Sequence, residues 1–314
     1  MCVFEWNCHT LVTVRTRVDW VRQVLTRNVF ELFTGSGIIG EKLGEKMVEN
    51  SHIQITKGIL KGFAFKTDDG FKVHYLDMKD LEIKEEKIKL LGSKKFYYNE
   101  SNEKYLGGIE TKFGEVATKI KNFEKNRIKH ITLNKNDLQD IKNFFEYTFI
   151  RSEKVLQEVN KYSVVSKIIG DLNHNLLIDM TKENKKVLSY FNEFKINIII
   201  NKTSANFVVP RSVYYVLKKA NNKREMYIMP LNKKVAIAML YKEDFPKFID
   251  NGNLYYLSIN DESSILNLNE MAIKFERNSN NQFVVGELDE LIRLREYEVK
   301  ENSNNKYRGE IWKY

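Results

Sequence analysis

The chain contains five histidines, the side chains best suited to proton transfer near neutral pH. They are His9, His52, His74, His130 and His174. No two of them stand at helix spacing, and the only two cysteines lie within the first eight residues, so the sequence predicts no metal site. His52 is a candidate catalytic acid or base, because Gln54 shares its face of a predicted strand. The competing interpretation is an ordinary polar residue at a strand start.

A carboxylate and a guanidinium interrupt two apolar stripes with helical spacing. Glu110 stands beside Ile109, and Arg151 directly follows the apolar run that ends at Ile150. If the two helices face each other, Glu110 and Arg151 form a buried ion pair, and removing one partner of such a pair is costly. The alternative is that Arg151 holds a phosphate with its fork of donors. Both residues are therefore candidates for a catalytic site as well as for a structural role.

The net charge of the chain is concentrated in one segment, residues 195–234. This segment has nine Lys/Arg and one acid, whereas the other 274 residues have 42 bases and 41 acids. The candidate nucleic-acid contacts are Lys202, Arg211, Tyr214, Lys218, Lys219, Lys223, Arg224, Lys233 and Lys234. The aromatic side chains of the same segment are Phe207, Tyr214, Tyr215 and Tyr227. A positive field and flat rings on one face of a sheet suit nucleic acid, whereas the competing interpretation is that the lysines solubilise a hairpin and protect a sheet edge.

One glycine pattern, Gly35-Ser36-Gly37-Ile38-Ile39-Gly40, matches the dinucleotide-binding fingerprint by letter. That fingerprint works only after a buried strand and with an acid about twenty residues later. The later position falls near residue 60, where Ile59, Leu60 and Lys61 stand. A chance match is favoured, and the sequence indicates no particular cofactor.

The first half of the chain predicts short strands followed by helices. Residues 71–76 alternate apolar with polar, Asp68-Asp69-Gly70 is a turn, and residues 81–88 supply a partner strand. Apolar residues three or four apart then predict one helix over residues 106–123. The same spacing predicts a second helix that follows Asn134 and extends to Val159. These features indicate N-terminal β-hairpin elements and central antiparallel helices.

The second half returns to strands and closes with helices. The apolar runs predict strands at residues 196–200, 206–209, 213–217, 225–229 and 235–240. A helix is expected from residue 260 or 261, and a short one from Glu287. The fold class is therefore α+β, with a C-terminal, mainly antiparallel sheet and closing helices.

The composition limits the classes of protein to which the chain can belong. The chain has 314 residues, 42% of them hydrophobic, which is enough for a full core. No apolar run approaches the roughly 20 residues that span a bilayer, and the scarcity of cysteine fits a reducing cytoplasm. Residues 1–46 use arginine rather than lysine until Lys42, which suggests an appended or atypical segment, and the alternative is an amphipathic docking helix. The predicted organisation is this segment, one α+β domain over residues 47–300, and a polar tail over residues 301–314.

Five short motifs occur in a particular order along the chain. They are His52 with Leu60 and Phe63; Ile109-Glu110; Phe149-Ile150-Arg151-Ser152; Thr203-Ser204-Ala205-Asn206-Phe207; and Met229-Pro230-Leu231. In this order they resemble the bacterial family of proteins grouped as domain of unknown function 4238, over about residues 50–290. The resemblance implies a fold and positions to examine, including Ser204 and Asn206, but no mechanism.

The chain departs from the pattern of that family at two positions. The usual Asp is Ala205, and the usual Pro is Phe207. If the family acid binds a metal or activates water, this chain lacks that group. If the acid only caps a turn, Ser204 and Asn206 can still bond to nearby backbone.

Three hypotheses about function follow. The first is a protein that binds or acts on nucleic acid, with the basic segment as its platform and a nuclease-like site made by convergence of the catalytic candidates. Those candidates are His52, Glu110, Arg151, Ser204 and Asn206. The second is a non-enzymatic module whose basic face meets an acidic protein. The third is an enzyme with a small-molecule pocket between the helices and the C-terminal sheet.

Overall fold

The computed structural model describes residues 51–52, 57–91, 93–94, 98–125, 131–152, 156, 160, 174–183, 191–218, 225–241, 253–254, 256–277 and 283–311. The predicted N-terminal segment and the glycine pattern at residues 35–40 lie outside these residues. The helices are α1 (Lys57–Leu60), α2 (Glu100–Lys125), α3 (Lys135–Ile150), α4 (His174–Glu183), α5 (Glu262–Glu276) and α6 (Leu288–Ile311). Within the described residues, none of these helices combines the length and the apolar content that crossing a bilayer requires.

The strands fall into two larger sheets and two short ladders. They are β1 (Ser51–His52), β2 (Phe65–Thr67), β3 (Gly70–Asp77), β4 (Ile83–Lys87), β5 (Ser93–Lys94), β6 (Ile131–Thr132), β7 (Phe194–Asn201), β8 (Val209–Pro210), β9 (Tyr215–Lys218), β10 (Glu225–Pro230), β11 (Val235–Tyr241), β12 (Asn253–Leu254), β13 (Tyr256–Ile259) and β14 (Phe283–Gly286). The main sheet has the order β13-β7-β11-β10-β9, in which only the β13–β7 pair is parallel. The second sheet has the order β2-β3-β14-β8, and β4 also pairs with β3. The predicted α+β class and its mainly antiparallel C-terminal sheet are confirmed.

Both faces of the main sheet are covered by helices. Ile196, Ile198 and Ile200 of β7 belong to a buried cluster that includes residues of α2 and α3. Ile199, on the opposite face because side chains alternate along a strand, packs in a second cluster with residues of α5 and α6. The sheet is therefore the middle layer of the molecule, and it separates the α2–α3 side from the α5–α6 side.

The two central helices run antiparallel, as predicted. Near one end of the pair Lys119 contacts Asp137, and near the other Glu110 contacts Arg151. Asn134 is the N-cap of α3 and forms a capping box, which explains why the sequence located this helix start correctly. The predicted end at Val159 is wrong, because α3 ends at Ile150 with a tightened turn that donates the Ser152 N–H to the Phe149 carbonyl.

Two predictions in the C-terminal half are also corrected. Residues 206–208 form no strand, because the N–H groups of Phe207 and Val208 donate to the Lys233 carbonyl and the Asn269 side chain instead of a neighbouring strand. The helix expected to be short runs from Leu288 to Ile311, through much of the predicted polar tail. Its first turns are anchored in the core, and an anchored helix propagates through polar residues.

Gly62 is a position where the surrounding backbone leaves no room for a side chain. A Cβ added there would lie 2.3 Å from the backbone oxygen of Leu231 and 3.0 Å from Cα of Asn232. Because neither backbone atom can swing aside, we expect Gly62→Ala to lower the free energy of unfolding by about 3 kcal/mol, measured by urea unfolding. Gly108→Ala is the matched control, since an added Cβ there meets nothing within 4 Å in α2 and should stabilise by about 1 kcal/mol. Equal effects at the two glycines would contradict this packing.

Candidate functional site

Glu110 and Arg151 form the ion pair that their spacing suggested. Arg151 Nη1 donates to Glu110 Oε1 at 2.8 Å, and Arg151 Nε donates to the hydroxyl oxygen of Tyr98 at 3.2 Å. Arg151 is 2% exposed and Glu110 is 29% exposed, so the guanidinium is enclosed while the carboxylate reaches solvent. The structural interpretation is confirmed, and the alternative role for Arg151 as a phosphate ligand finds no support from its burial.

The helices position this pair through a surrounding polar network. Desolvation raises the pKa of Tyr98 and the nearby Arg151 opposes the rise, so the phenol stays neutral and accepts the bond from Arg151. One turn before Arg151, Tyr147 shares a hydrogen bond with Tyr105 of α2. The Lys182 ammonium of α4 lies 5.1 Å from the centre of the Tyr105 ring. The cluster therefore fastens α2, α3 and α4 together.

Ser204 and Asn206 lie in the loop between β7 and β8, where they fasten the loop to α5 and α6. The Ser204 hydroxyl donates to Glu262 at the start of α5. The backbone N–H of Asn206 donates to Glu290 Oε1 at 2.9 Å, and the backbone carbonyl of Asn206 accepts from the Asn269 side-chain amide at 2.8 Å. Asn206 therefore takes part through its backbone, which any residue other than proline could provide.

Ala205 lies in the same loop, at the position where the resemblance predicts an acid. It is buried, and its carbonyl accepts bonds from the Asn201 amide at 2.7 Å and from Lys234 Nζ at 2.9 Å. Asn201 also accepts from the Thr203 N–H at 2.9 Å, which makes it the residue that caps this turn. The side chains of Ser204 and Asn206 were expected to bond to the backbone of this turn, but the buried side chain of Asn201 does so instead. The sequence analysis did not identify Asn201. Its signal was an Asn at the end of an apolar strand run.

The catalytic candidates do not converge. The Glu110–Arg151 pair lies on the α2–α3 side of the main sheet, and Ser204 and Asn206 lie on the α5–α6 side. His52 pairs through its backbone with Ser93 in a two-residue ladder, and its side chain lies outside the described part of the chain. The expected shared site is therefore wrong for these two pairs, because a covered five-stranded sheet stands between them.

The aromatic platform predicted for the basic segment is also wrong. Phe207, Tyr214, Tyr215 and Tyr227 are all enclosed in the core, with Tyr214 only 2% exposed. The Tyr227 ring lies 5.1 Å from that of Phe191, centre to centre. Strand periodicity placed these rings on a sheet, but helices cover both of its faces.

The strand register divides the cations of the basic segment between the two ends of the main sheet. Lys195 pairs with Leu240, and Lys218 pairs with Glu225. Because β10 and β11 continue this register, Lys195 at the start of β7 and Lys218 at the end of β9 lie at the same end of the main sheet. Lys202, Lys233 and Lys234 belong to the opposite end, beyond the last residue of β7 and before the first of β11.

At that opposite end the cations are engaged by the fold. Lys233 forms an ion pair with Glu287. Lys234 Nζ donates to the carbonyls of Thr203, Ser204 and Ala205. Arg211 belongs to neither end, since it follows β8 of the second sheet; it is buried, and its backbone N–H donates to the Phe283 carbonyl. Lys202 remains on the surface.

Glu146 is one of several buried acids that the sequence analysis did not identify. Glu146 of α3 is 3% exposed; Oε1 accepts a 3.4 Å bond from the Phe191 N–H, and Oε2 has no hydrogen-bond partner within the described residues. Burial raises its pKa to about 8. The sequence feature that could have identified Glu146 is its position as a single acid between Phe145 and Tyr147 in an apolar run.

Among the described residues, no group of three or more His, Cys, Asp or Glu side chains is arranged to hold a metal ion. Comparisons of the chain with family profiles, with curated proteins and with solved structures gave no match. The resemblance to domain of unknown function 4238 therefore stays a prediction.

Proposed function

We propose that the protein binds nucleic acid through one end of its main sheet, the end at which β9 leads into β10. We call it the hairpin end and define it by five cations. They are Lys195, Lys218, Lys219, Lys223 and Arg224. Lys219, Lys223 and Arg224 lie outside the described residues, as does the side chain of Lys218. The observation that supports the proposal is the strand register, which brings the start of β7, the end of β9 and the start of β10 to the same end of the main sheet.

The positive charges of the hairpin end are concentrated in sequence. Four of the five, from Lys218 to Arg224, fall within seven residues. Lys218 pairs with Glu225, so the segment that carries the other three begins and ends at the paired ends of β9 and β10. The acids of the adjoining sequence are Glu225, the exposed Glu193 before β7, and Glu243 and Asp244 after β11.

Such a concentration of charge suits phosphates. Lysine and arginine that contact a polyanion release its condensed counterions, which provides affinity that does not depend on base sequence. The proposal is for binding and includes no catalytic step, because the residues that a nuclease-like site would need lie on opposite sides of the sheet. A small-molecule site between the helices and the sheet is not proposed, because the rings of Phe145, Phe191 and Tyr227 pack together in that layer.

The proposal is tested by replacing four of the five cations of the hairpin end with an uncharged polar side chain. The test variant carries Lys218→Gln, Lys219→Gln, Lys223→Gln and Arg224→Gln. We expect it to bind a mixed-sequence duplex at least about tenfold more weakly than the unaltered protein at about 50 mM salt, measured by fluorescence anisotropy. The slope of log affinity against log salt should become shallower by up to about 3.6, at about 0.9 for each lost contact.

A second variant with the same change in net charge is the control. It carries Lys57→Gln, Lys61→Gln, Lys104→Gln and Lys112→Gln, all at exposed positions of α1, the turn after it and α2. We expect its affinity to stay close to that of the unaltered protein. Equal losses in the two variants would show that only net charge matters and would overturn the proposal.

An acidic protein is the alternative partner for the same cations. It is distinguished by capture from cell extract before and after nuclease treatment. A partner that is lost on nuclease treatment supports the proposal, and the absence of binding to any nucleic acid at low salt would refute it.

A further inference from the structure

We infer that the loop between β7 and β8 contains a binding site for a monovalent cation, and that the chain fills this site with the ammonium group of its own Lys234. Three consecutive backbone carbonyls, those of Thr203, Ser204 and Ala205, make the site. We call these three oxygens the carbonyl site. It lies at the end of the main sheet opposite the hairpin end and shares no residue with it.

The surroundings of the ammonium group match its hydrogen-bonding capacity. Lys234 Nζ lies 2.8 Å from the Thr203 oxygen, 3.2 Å from the Ser204 oxygen and 2.9 Å from the Ala205 oxygen. An ammonium group carries three N–H donors and no acceptor, so its donors equal the carbonyls in number. Because each carbonyl oxygen is the negative end of a dipole, three oxygens that converge on one point form a site for positive charge.

The ligands and their spacing favour a monovalent ion. Ca²⁺ takes oxygen ligands at about 2.3–2.6 Å and Mg²⁺ at about 2.0–2.1 Å, usually with carboxylates among them. The oxygens of the carbonyl site lie farther from its centre, at 2.8 to 3.2 Å, and all three are neutral. Backbone carbonyls hold K⁺ in the filters of potassium channels, where they replace the hydration shell of the ion. K⁺ and NH₄⁺ are therefore the ions expected to occupy the site in place of the lysine.

Asn201 shapes the loop through bonds that do not involve the side chain of Lys234. Its side-chain amide donates to the Ala205 carbonyl at 2.7 Å, and its side-chain oxygen accepts from the Thr203 N–H at 2.9 Å. Asn201 is 3% exposed, so these bonds are shielded from water. They remain when the Lys234 side chain is shortened. Ser204 is exposed and Lys234 is half-buried, so an ion from solvent can then reach the carbonyls.

The same loop attaches α5 and α6 to the main sheet. The Ser204 hydroxyl donates to Glu262 of α5, and the backbone N–H of Asn206 donates to Glu290 of α6. Lys234 stands directly before β11, the central strand of the main sheet. The cation in the carbonyl site therefore connects the central strand to the loop that holds both helices, and the stability of this layer depends on it.

The experiment replaces the tethered ammonium group with a free ion. Lys234→Ala in the full chain removes the charge and most of the stem, which leaves space for an ion. Its midpoint of thermal unfolding is measured in tetramethylammonium, potassium and ammonium chloride at equal concentration. We expect the midpoint to fall by several degrees in tetramethylammonium chloride, whose cation is too bulky for the site. Potassium or ammonium should restore at least about half of this loss, and the midpoint should rise with the logarithm of the potassium concentration.

Two further variants are the controls. Lys234→Met removes the charge but keeps an apolar side chain in the space, so we expect a loss of stability that potassium does not restore. Lys233→Ala removes the neighbouring charge, which pairs with Glu287. It should respond to the three salts as the unaltered protein does.

Each outcome decides for or against the carbonyl site. Equal midpoints for Lys234→Ala in the three salts would overturn the inference, and so would a variant that stays unfolded in all of them. An equal recovery of Lys234→Met would show a general effect of salt and would also overturn it. Recovery of Lys234→Ala alone supports the site. None of these results bears on nucleic-acid binding, because the variants leave the hairpin end unchanged.

Discussion

Glu146→Gln is expected to stabilise the protein at pH 8 by on the order of 4 kcal/mol and to change its stability little at pH 4.5. The carboxyl group is buried on α3, with one oxygen against the Phe191 N–H. The charged group that acts on it is Lys142, one turn earlier, whose Nζ donates to the Asn192 carbonyl at 3.2 Å. Glutamine keeps the acceptor for Phe191 and resembles the protonated acid.

The direction follows from proton binding. The pKa of Glu146 rises from 4.5 to about 8 on folding, chiefly because burial disfavours the charged form. Below pH 4.5 both states carry the proton, so this residue contributes no pH dependence. Between pH 4.5 and 8 the folded state binds more protons than the unfolded state, so stability falls as pH rises. Above pH 8 both states are ionised, and the full cost of a buried carboxylate remains.

Urea unfolding of the two proteins at several pH values between 4.5 and 8.5 measures this difference. Glu115→Gln on the exposed face of α2 is the control for loss of a carboxylate. Parallel stability curves for Glu146→Gln and the unaltered protein would show that Glu146 is ionised in the folded state throughout, contrary to this prediction.

Separating Glu110 from Arg151 is expected to have the second large effect. We expect Glu110→Met to lower the free energy of unfolding by about 3 kcal/mol or more, because it leaves a guanidinium that is enclosed by protein without its carboxylate. Arg151→Met should cost less, because the carboxylate left behind is 29% exposed and can be hydrated.

The double variant is the decisive comparison. A buried ion pair that is replaced by apolar side chains of similar volume often costs little, so Glu110→Met with Arg151→Met should recover much of the loss. The coupling energy from the double-mutant cycle should exceed about 1 kcal/mol in urea unfolding. Additive effects would mean that the 2.8 Å contact contributes nothing specific.

Local signals located several elements well. Asn134 and Asp261 both precede apolar helical periods, and both are N-caps in the structure. The alternation from Phe71 to Leu76 correctly indicated β3, and the turn before it is where β2 pairs with β3. Such features depend on neighbouring residues, so one sequence is sufficient to find them.

The candidate site was predicted less well, because its geometry depends on distant contacts. The ion pair of Glu110 and Arg151 was anticipated from two interrupted stripes, but its third member, Tyr98, lies 53 residues before Arg151. Ser204 and Asn206 were placed with this pair on the basis of motif order. Motif order along a chain does not say on which side of a sheet each motif lies.

The α+β class, the antiparallel helix pair and the excess of positive charge in residues 195–234 could all be read from one sequence, because periodicity and composition are properties of the chain. The tertiary structure was needed to show that the aromatic rings of this segment are buried and that Lys195 and Lys218 lie at one end of the main sheet while Lys233 and Lys234 lie at the other. It also showed that the polar motifs stay apart. The physical reason is that a strand pattern specifies two faces without specifying what covers them. Here α2 and α3 cover one face of the main sheet, and α5 and α6 cover the other.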